Sequence, residues 1–277
     1  MSASMRPASD EDLPAVWNAA RTARIFPDSA AFETFRGEAP WRVRVNSRGE
    51  AAVVERWRDH LDLLAIRGLW CSPRRVAVAV EDLRAVARAQ GLGRLLGPLL
   101  CEDAARPYLA AGMRVAQRTI TLRLDRPGRH KPGLSMPEGV GLRLGTAADL
   151  PDLLDLDTSC FDLFWRYDAV HLMRYVAEER LALAESASGL IGYTLCTVTA
   201  DEGMVNRLAV RPDARNRGVG RALLSDAIAY SARAGAVSVM LCTQTDNAAS
   251  RRLYAAAGFR EMAGRMVFPI DEGPGPG

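Results

Sequence analysis

The chain has 277 residues with 36 basic against 33 acidic side chains, a formal charge of +3, which allows one large or two modest domains and gives no reason to expect nucleic acid, since the charges are interspersed rather than gathered into basic runs. The five cysteines, at 71, 101, 160, 196 and 242, include no Cys-x-x-Cys, and the histidines at 60, 130 and 171 form no ligand-spaced pair, so reduced thiols are expected and a metal site is not. No signal peptide opens the chain and no apolar run approaches the roughly 20 residues that span a bilayer, so the expectation is a cytoplasmic protein, monomeric or homodimeric, with neither membrane nor nucleic acid as partner.

In chain order, the first half opens with a short strand, an acidic-start helix and two or three strands leading to Leu69-Trp-Cys-Ser-Pro73, where the proline removes the backbone donor a continuing ladder would need. From Pro73 the chain passes almost directly into a helix. At its far end stands Arg88-Ala-Gln-Gly91-Leu-Gly93, which a motif scan would flag as an anion loop. It lies at the exit of the helix, where carbonyls face outward and the dipole repels negative charge, so a plain helix-to-strand turn is expected. Residues 127–139 are rich in Pro and Gly without periodic pattern and read as a linker. The second half reads as strand 140–145, helices 147–158 and 168–178, strands 181–186, 190–199 and 203–210, helix 219–234, strand 236–242, helix 247–257 and strand 261–269, with a Gly/Pro-rich tail, 271–277, expected to fray. This is an α/β pattern, a sheet with helices on its faces.

The halves repeat one another. Arg6-Pro-Ala-Ser-Asp-Glu-Asp12-Leu-Pro14 recurs as Arg143-Leu-Gly-Thr-Ala-Ala-Asp149-Leu-Pro151, Leu69 to Pro73 recurs as Leu208 to Pro212, and Tyr108-Leu-Ala-Ala-Gly-Met113 recurs as Tyr254-Ala-Ala-Ala-Gly-Phe259. The division expected is a first domain over 1–126, the linker, a second domain over 140–270, and the tail. From proline to tyrosine the first copy has 35 steps and the second 42. The seven missing residues are expected to be a loop that only the second copy keeps.

That loop is Arg215-Asn-Arg-Gly-Val-Gly-Arg221, set between the end of an apolar strand at Pro212 and a helix whose apolar positions begin at Val219. The first N–H groups of a helix have no intrahelical partner, and the helix dipole favours an anion at that end. Gly218 and Gly220 add no side chain to hold an anion off, and Arg215, Arg217 and Arg221 add positive charge; a pyrophosphate fits. No Gly-Lys-Ser/Thr follows, and the only lysine, Lys131, is remote, so this is not a nucleotide-hydrolase loop. Nor does a third glycine complete a dinucleotide fingerprint.

Arg215-x-x-Gly218-x-Gly220, the preceding Leu208-Ala209-Val210-x-Pro212 and the block Asn247-Ala-Ala-Ser250-Arg-Arg-Leu-Tyr254 resemble, in order and spacing, the motifs of the GCN5-related N-acetyltransferase (GNAT) family. The resemblance implies two tandem domains, each a mixed, mostly antiparallel sheet flanked by helices, the first copy degenerate and lacking the pyrophosphate loop. It implies acetyl-CoA as donor, with Arg215, Arg217, Gly218, Val219, Gly220 and Arg221 around the pyrophosphate, the backbone amides of Leu208, Ala209 and Val210 at the thioester, where the strand is expected to splay, and Asn247 with Ser250 toward the pantetheine arm. Tyr254 is the implied general acid; its counterpart Tyr108 reads as a packed aromatic.

Many members carry a carboxylate where this chain has Asn206, and an amide cannot take a proton. Asp201 or Glu202 acting through a water, His171, or an amine that arrives neutral are the alternatives; Cys160 and Cys242 read as small core residues. The region 155–168, which lines the acceptor side in the family, holds Phe161, Phe164, Trp165 and Tyr167 beside several carboxylates, suited either to a cationic amine or to ordinary helix packing. The expected function is acetyl transfer to a primary amine of a small molecule or peptide N-terminus, with the cofactor in the second domain only; the alternative is a catalytically silent coenzyme A-binding module.

Overall fold

A computed structural model describes residues 4–23, 25–129 and 136–273. The linker and tail expectations fall partly on 130–135 and 274–277, outside the described residues. The chain forms two compact units, one of Met1–Arg118 with Met266–Gly277 and the other of Thr119–Arg265.

The first half contributes β1 (Arg6–Pro7), α1 (Leu13–Thr22), α2 (Ser29–Glu38), β2 (Val43–Val45), β3 (Ala51–Arg56), β4 (Leu63–Trp70), α3 (Val76–Ala89), β5 (Arg94–Leu96), β6 (Leu100–Cys101), α4 (Glu102–Ala110) and β7 (Arg114–Asp125). The second contributes β8 (Gly141–Leu144), α5 (Leu150–Cys160), α6 (Ala169–Glu178), β9 (Arg180–Ser186), β10 (Gly189–Thr199), β11 (Glu202–Val210), α7 (Val219–Arg233), β12 (Ser238–Gln244), α8 (Ala248–Ala256) and β13 (Arg260–Asp271).

In the first unit the strands run β1-β2-β3-β4-β5, antiparallel apart from the parallel β4–β5 pair, and the sheet is continued by the end of β13, where Ile270 pairs with Leu96 and Met266 with Cys101. In the second the order is β8-β9-β10-β11-β12, antiparallel apart from the parallel β11–β12 pair, continued by Thr119–Asp125 of β7 alongside β12. Each sheet is therefore finished by the last strand of the other half. This is why the contact-defined units do not coincide with the 1–126 and 140–270 division: sequence order assigns a terminal strand to the copy that encodes it, whereas pairing assigns it to the sheet that receives it.

The repeat is visible in matching local chemistry. Arg6 pairs with Asp12 at 2.8 Å and Arg143 with Asp149 at 2.6 Å, and in each copy the same carboxylate accepts from a backbone N–H three residues earlier, Ser9 or Thr146, at 2.7 Å. These donors hold Asp149 down at about 2, the Arg143 hydrogen bond being the largest influence. The two central strands end alike, on prolines that open short 3₁₀ turns, Pro73–Arg75 and Pro212–Ala214.

In the second unit α5 and α6 lay Leu153, Leu156 and Leu172 on one face of the sheet, against Leu181, Leu183, Tyr193, Leu195 and Ala209. Helix α7 places Leu224, Ala227 and Ile228 on the other, with Val205, Val239, Leu241, Tyr254 and Phe259. Each such leucine contributes roughly 1.5–3 kcal/mol by leaving water, enough to hold both helix layers against a strand that, as described below, breaks its own regularity.

Candidate functional site

Strand β11 starts with Gly203 and Val205 facing α7; a Cβ on Gly203 would meet Ser231 Oγ of that helix at 2.6 Å. Leu195 of β10 then pairs with Arg207 and Cys196 with Val205, so Asn206 is left as a bulge. The extra residue reverses the alternation. Arg207 and Ala209, which an unbroken strand would turn toward α7, point instead to the α5 face. The parallel ladder to β12 stops at the same place, its last pair being Val205 with Leu241. Strand β12 nonetheless continues, pairing Cys242, Thr243 and Gln244 with Thr121, Ile120 and Thr119 on its other side. From Asn206 onward the two strands part, and the β12-facing edge of Leu208, Ala209 and Val210 carries backbone groups that no neighbouring strand takes up.

Past the proline turn the chain reverses through Asn216 (φ 62°) and Gly218 (φ 88°). That dihedral makes glycine the residue of choice at 218. Gly218 has no side chain with which to cap α7; Ala222 N–H donates to Gly218 O at 3.0 Å, and the amides before it, of Val219, Gly220 and Arg221, belong to the turn that a helix leaves without partners. At 220 the fold does not demand glycine: a Cβ there would sit at ordinary contact, 3.5 Å from Val210 Cγ2 and 3.7 Å from Leu253 Cδ2. Its bareness keeps the backbone approachable. Arg215 folds back, its Nε donating to Val210 O at 3.0 Å, so that guanidinium ties the loop to the strand end, while Arg217 and Arg221 are exposed beside the amides. These features suit a pyrophosphate.

Asn247 caps α8, its Oδ1 accepting from Ser250 N–H at 3.1 Å. Tyr254, one helical turn beyond Ser250, is buried, and desolvation pushes its hydroxyl up to about 12 against the opposing pull of Ser250. It therefore stays protonated at neutral pH. In the first unit burial pushes Tyr108 up as well.

Several expectations are corrected. Of the seven residues absent from the first copy, only four fall at the loop: α3 starts three residues after Pro73, whereas α7 starts seven after Pro212. The remainder is spread over the helix and the connection into α4. Gly91 is a helix exit as expected, with φ 70° and its N–H on Arg88 O. Asp201 and Glu202 lie at the opposite end of β11 from the opening; at about 3.3 Å per residue, Glu202 is some 13 Å of strand from Asn206, beyond one bridging water. His171 is engaged by Asp168, 2.8 Å from its Nδ1. Cys242 is exposed on β12 rather than packed in the core, because it is the first residue after the strands separate.

The aromatic cluster already holds a cation, and it is the chain's own. Arg207 has the Phe161 ring 3.4 Å and the Tyr167 ring 4.1 Å from its guanidinium carbon. Asp157, fully buried, accepts from Arg207 Nε at 2.9 Å and Nη2 at 2.7 Å, from Tyr167 N–H at 2.8 Å and from the Tyr193 hydroxyl. A buried pair this fully satisfied is a positioning device: it locks the residue after the bulge.

Sequence reasoning missed Glu179, which follows α6 directly. Its Oε2 is buried without a hydrogen-bond partner, and burial raises the carboxyl to about 7, partly offset by the side-chain amide of Asn206. Among the described residues no cluster of three or more His, Cys, Asp or Glu could hold a metal ion, and no helix is long and apolar enough to cross a membrane.

The profile of the Acetyltransferase (GNAT) family matches residues 150–259. The chain is similar to the mycothiol acetyltransferase of Clavibacter sepedonicus, 31% identical over 204 residues that cover 64% of this chain and 67% of that protein, and to the [ribosomal protein bS18]-alanine N-acetyltransferase of Escherichia coli (strain K12), 32% identical over 85 residues, 30% of this chain and 57% of that one. It thus spans about two thirds of the first relative and little more than half of the second. Among solved structures, a tandem GNAT protein from the clavulanic acid biosynthesis pathway superposes with a TM-score of 0.59 at 17% identity, covering 82% of this chain and 80% of that one, a likeness of fold.

Proposed function

Since the chain belongs to the GNAT family of acetyltransferases, we propose that its second unit binds acetyl-CoA and passes the acetyl group directly to a primary amine, of a small molecule or of a peptide N-terminus. The observation that carries this reading is the presence, in one unit, of two sets of unused backbone donors: the first-turn amides of Val219, Gly220 and Arg221, and the edge of Leu208–Val210 opened beside β12. The first set, with Arg217 and Arg221, takes the pyrophosphate, and Asn247 and Ser250 flank the pantetheine arm. The second set takes the extended arm as a further strand would be taken and polarises the thioester carbonyl, stabilising negative charge as it develops on oxygen. Tyr254, neutral and buried, meets the departing sulfur as a hydrogen-bond donor.

The cofactor binds once per chain. In the first unit α3 follows its 3₁₀ turn without an intervening loop, and the residue at the corresponding bulge is Arg67, ion-paired to Glu55 at 3.3 Å, so a guanidinium stands where the second unit has an amide.

The test is release of coenzyme A thiol from acetyl-CoA over a panel of small primary amines and short peptides beginning with alanine, with calorimetry on the same protein. Release with at least one acceptor and a stoichiometry near one supports the reading. Tight binding with no release from any acceptor points to the silent coenzyme A-binding module, and a stoichiometry near two overturns the assignment to a single unit.

A further inference from the structure

We propose that the carboxylate of Glu179 is the base of the reaction, taking the proton of the acceptor amine beside Asn206 at the β11 bulge. This rests on the acetyl-transfer reading above and supplies the group which that reading lacks.

Position comes first. The bulge is where β11 leaves β12, so it borders the open edge that would hold the thioester. Asn206 cannot accept the amine's proton. Its Nδ2 donates to Thr197 Oγ1 at 3.2 Å; Glu179 precedes Arg180, which pairs with Cys196, and so stands level with Thr197, where the Asn206 amide pulls its carboxyl down.

The electrostatics suit the task. Glu179 is the C-cap of α6, its own N–H donating to Tyr175 O at 2.8 Å, so its carboxylate stands at the negative end of a helix dipole. The groups facing it are Glu178 and Arg174 from α6, the Cys196 thiol from β10 and the Asn206 amide from β11. Among the described residues no cation forms an ion pair with it, and Oε2 has no hydrogen-bond partner. A carboxyl desolvated in this way titrates near neutrality and is a far better base than an exposed glutamate. An unpartnered buried oxygen is costly unless something arrives to use it; an acceptor N–H is such a group.

The balance is simple. The amine nitrogen bonds to the acetyl carbon as the C–S bond breaks; the sulfur leaves as thiolate, hydrogen-bonded by Tyr254; the amine's surplus proton goes to Glu179, directly or through one water, and from there to solvent.

Glu179→Gln keeps shape and removes the base. With the best acceptor of the amine and peptide panel, kcat/KM at pH 8 should fall about a hundredfold, and the rise of activity through pH 7 expected of the natural chain should be absent while coenzyme A affinity holds. Adding Asn206→Glu to that variant restores a carboxylate at the bulge and should recover at least tenfold. A readout without substrate accompanies these. The folded carboxyl titrates above its unfolded value, so its favourable contribution is complete below the unfolded value and fades as pH rises toward 7 and beyond; Glu179→Gln should therefore be the more thermostable protein at pH 8, with the gap closing as pH falls to 5. If Glu179→Gln retains the natural pH limb and turnover, or the stability gap does not change with pH, the assignment of Glu179 is wrong and the acetyl-transfer reading stands. If the natural chain binds coenzyme A and acetylates nothing, both fall together.

Discussion

Replacing Asp157 by alanine should be among the most damaging single changes in the second unit, although Asp157 belongs to no motif. The carboxylate is fully buried and answers four donors: Arg207 Nε at 2.9 Å, Arg207 Nη2 at 2.7 Å, Tyr167 N–H at 2.8 Å and the Tyr193 hydroxyl. Alanine leaves Arg207, 7% exposed, charged in an apolar layer with nothing to neutralise it. Removing one partner of a buried pair costs about 3–5 kcal/mol, and for a unit of this size each kcal/mol moves the melting temperature about 2–4 °C, so a fall of about 6–20 °C is expected by scanning calorimetry. The double replacement Asp157→Leu with Arg207→Met removes both charges at near-equal volume and should regain most of the loss. A single variant that loses less than about 1 kcal/mol, or a double variant as unstable as the single, would refute the argument that an unpaired guanidinium is the source of the damage.

Gly220→Asp places a carboxylate against the first-turn amides of α7 and, at an effective dielectric of 20 to 80, should weaken coenzyme A by about 1–4 kcal/mol, roughly five- to a thousandfold; Gly220→Ala meets only ordinary contacts at 3.5 and 3.7 Å and serves as the folded control. Gly218 is the poorer site for this experiment, since at φ 88° any side chain strains the turn regardless of ligand. Unchanged affinity in the aspartate variant would remove the pyrophosphate from this loop. Tyr254→Phe should lower kcat about ten- to a hundredfold and leave coenzyme A affinity as it was; lost affinity with undiminished turnover per bound molecule would make the tyrosine structural.

What could be read in the sequence was local. Arg215 to Arg221 and Asn247 to Tyr254 are contiguous, and their meaning depends on helix ends and turn dihedrals that a few neighbouring residues determine. The repeat was legible because Arg6-to-Asp12 and Arg143-to-Asp149 close the same small turn in both copies. The remainder depends on contacts distant along the chain. Asp157 reaches Arg207 across 50 positions, and Glu179 gains its character from burial in the folded unit, opposed by Asn206, 27 residues later. The bulge at Asn206 has no residue signature: Met204 to Val210 reads as an even apolar strand, and only the pairing with β10 shows that one residue too many has been fitted in. The aromatic stretch at 161–167 left two readings open for the same reason, since the cation against Phe161 and Tyr167 comes from another strand.

The exchange of terminal strands makes each half of the chain depend on the other for a complete sheet. Removing residues 266–271 withdraws a strand, with Ile270 opposite Leu96 and the Asp271 carboxylate opposite Arg84, from the unit built mainly by the first half of the chain. Cutting the chain at the linker likewise takes Thr119–Asp125 from the second unit. Neither half of the chain supplies a complete sheet by itself, so a substitution that unfolds one terminal strand is felt in the unit that receives it.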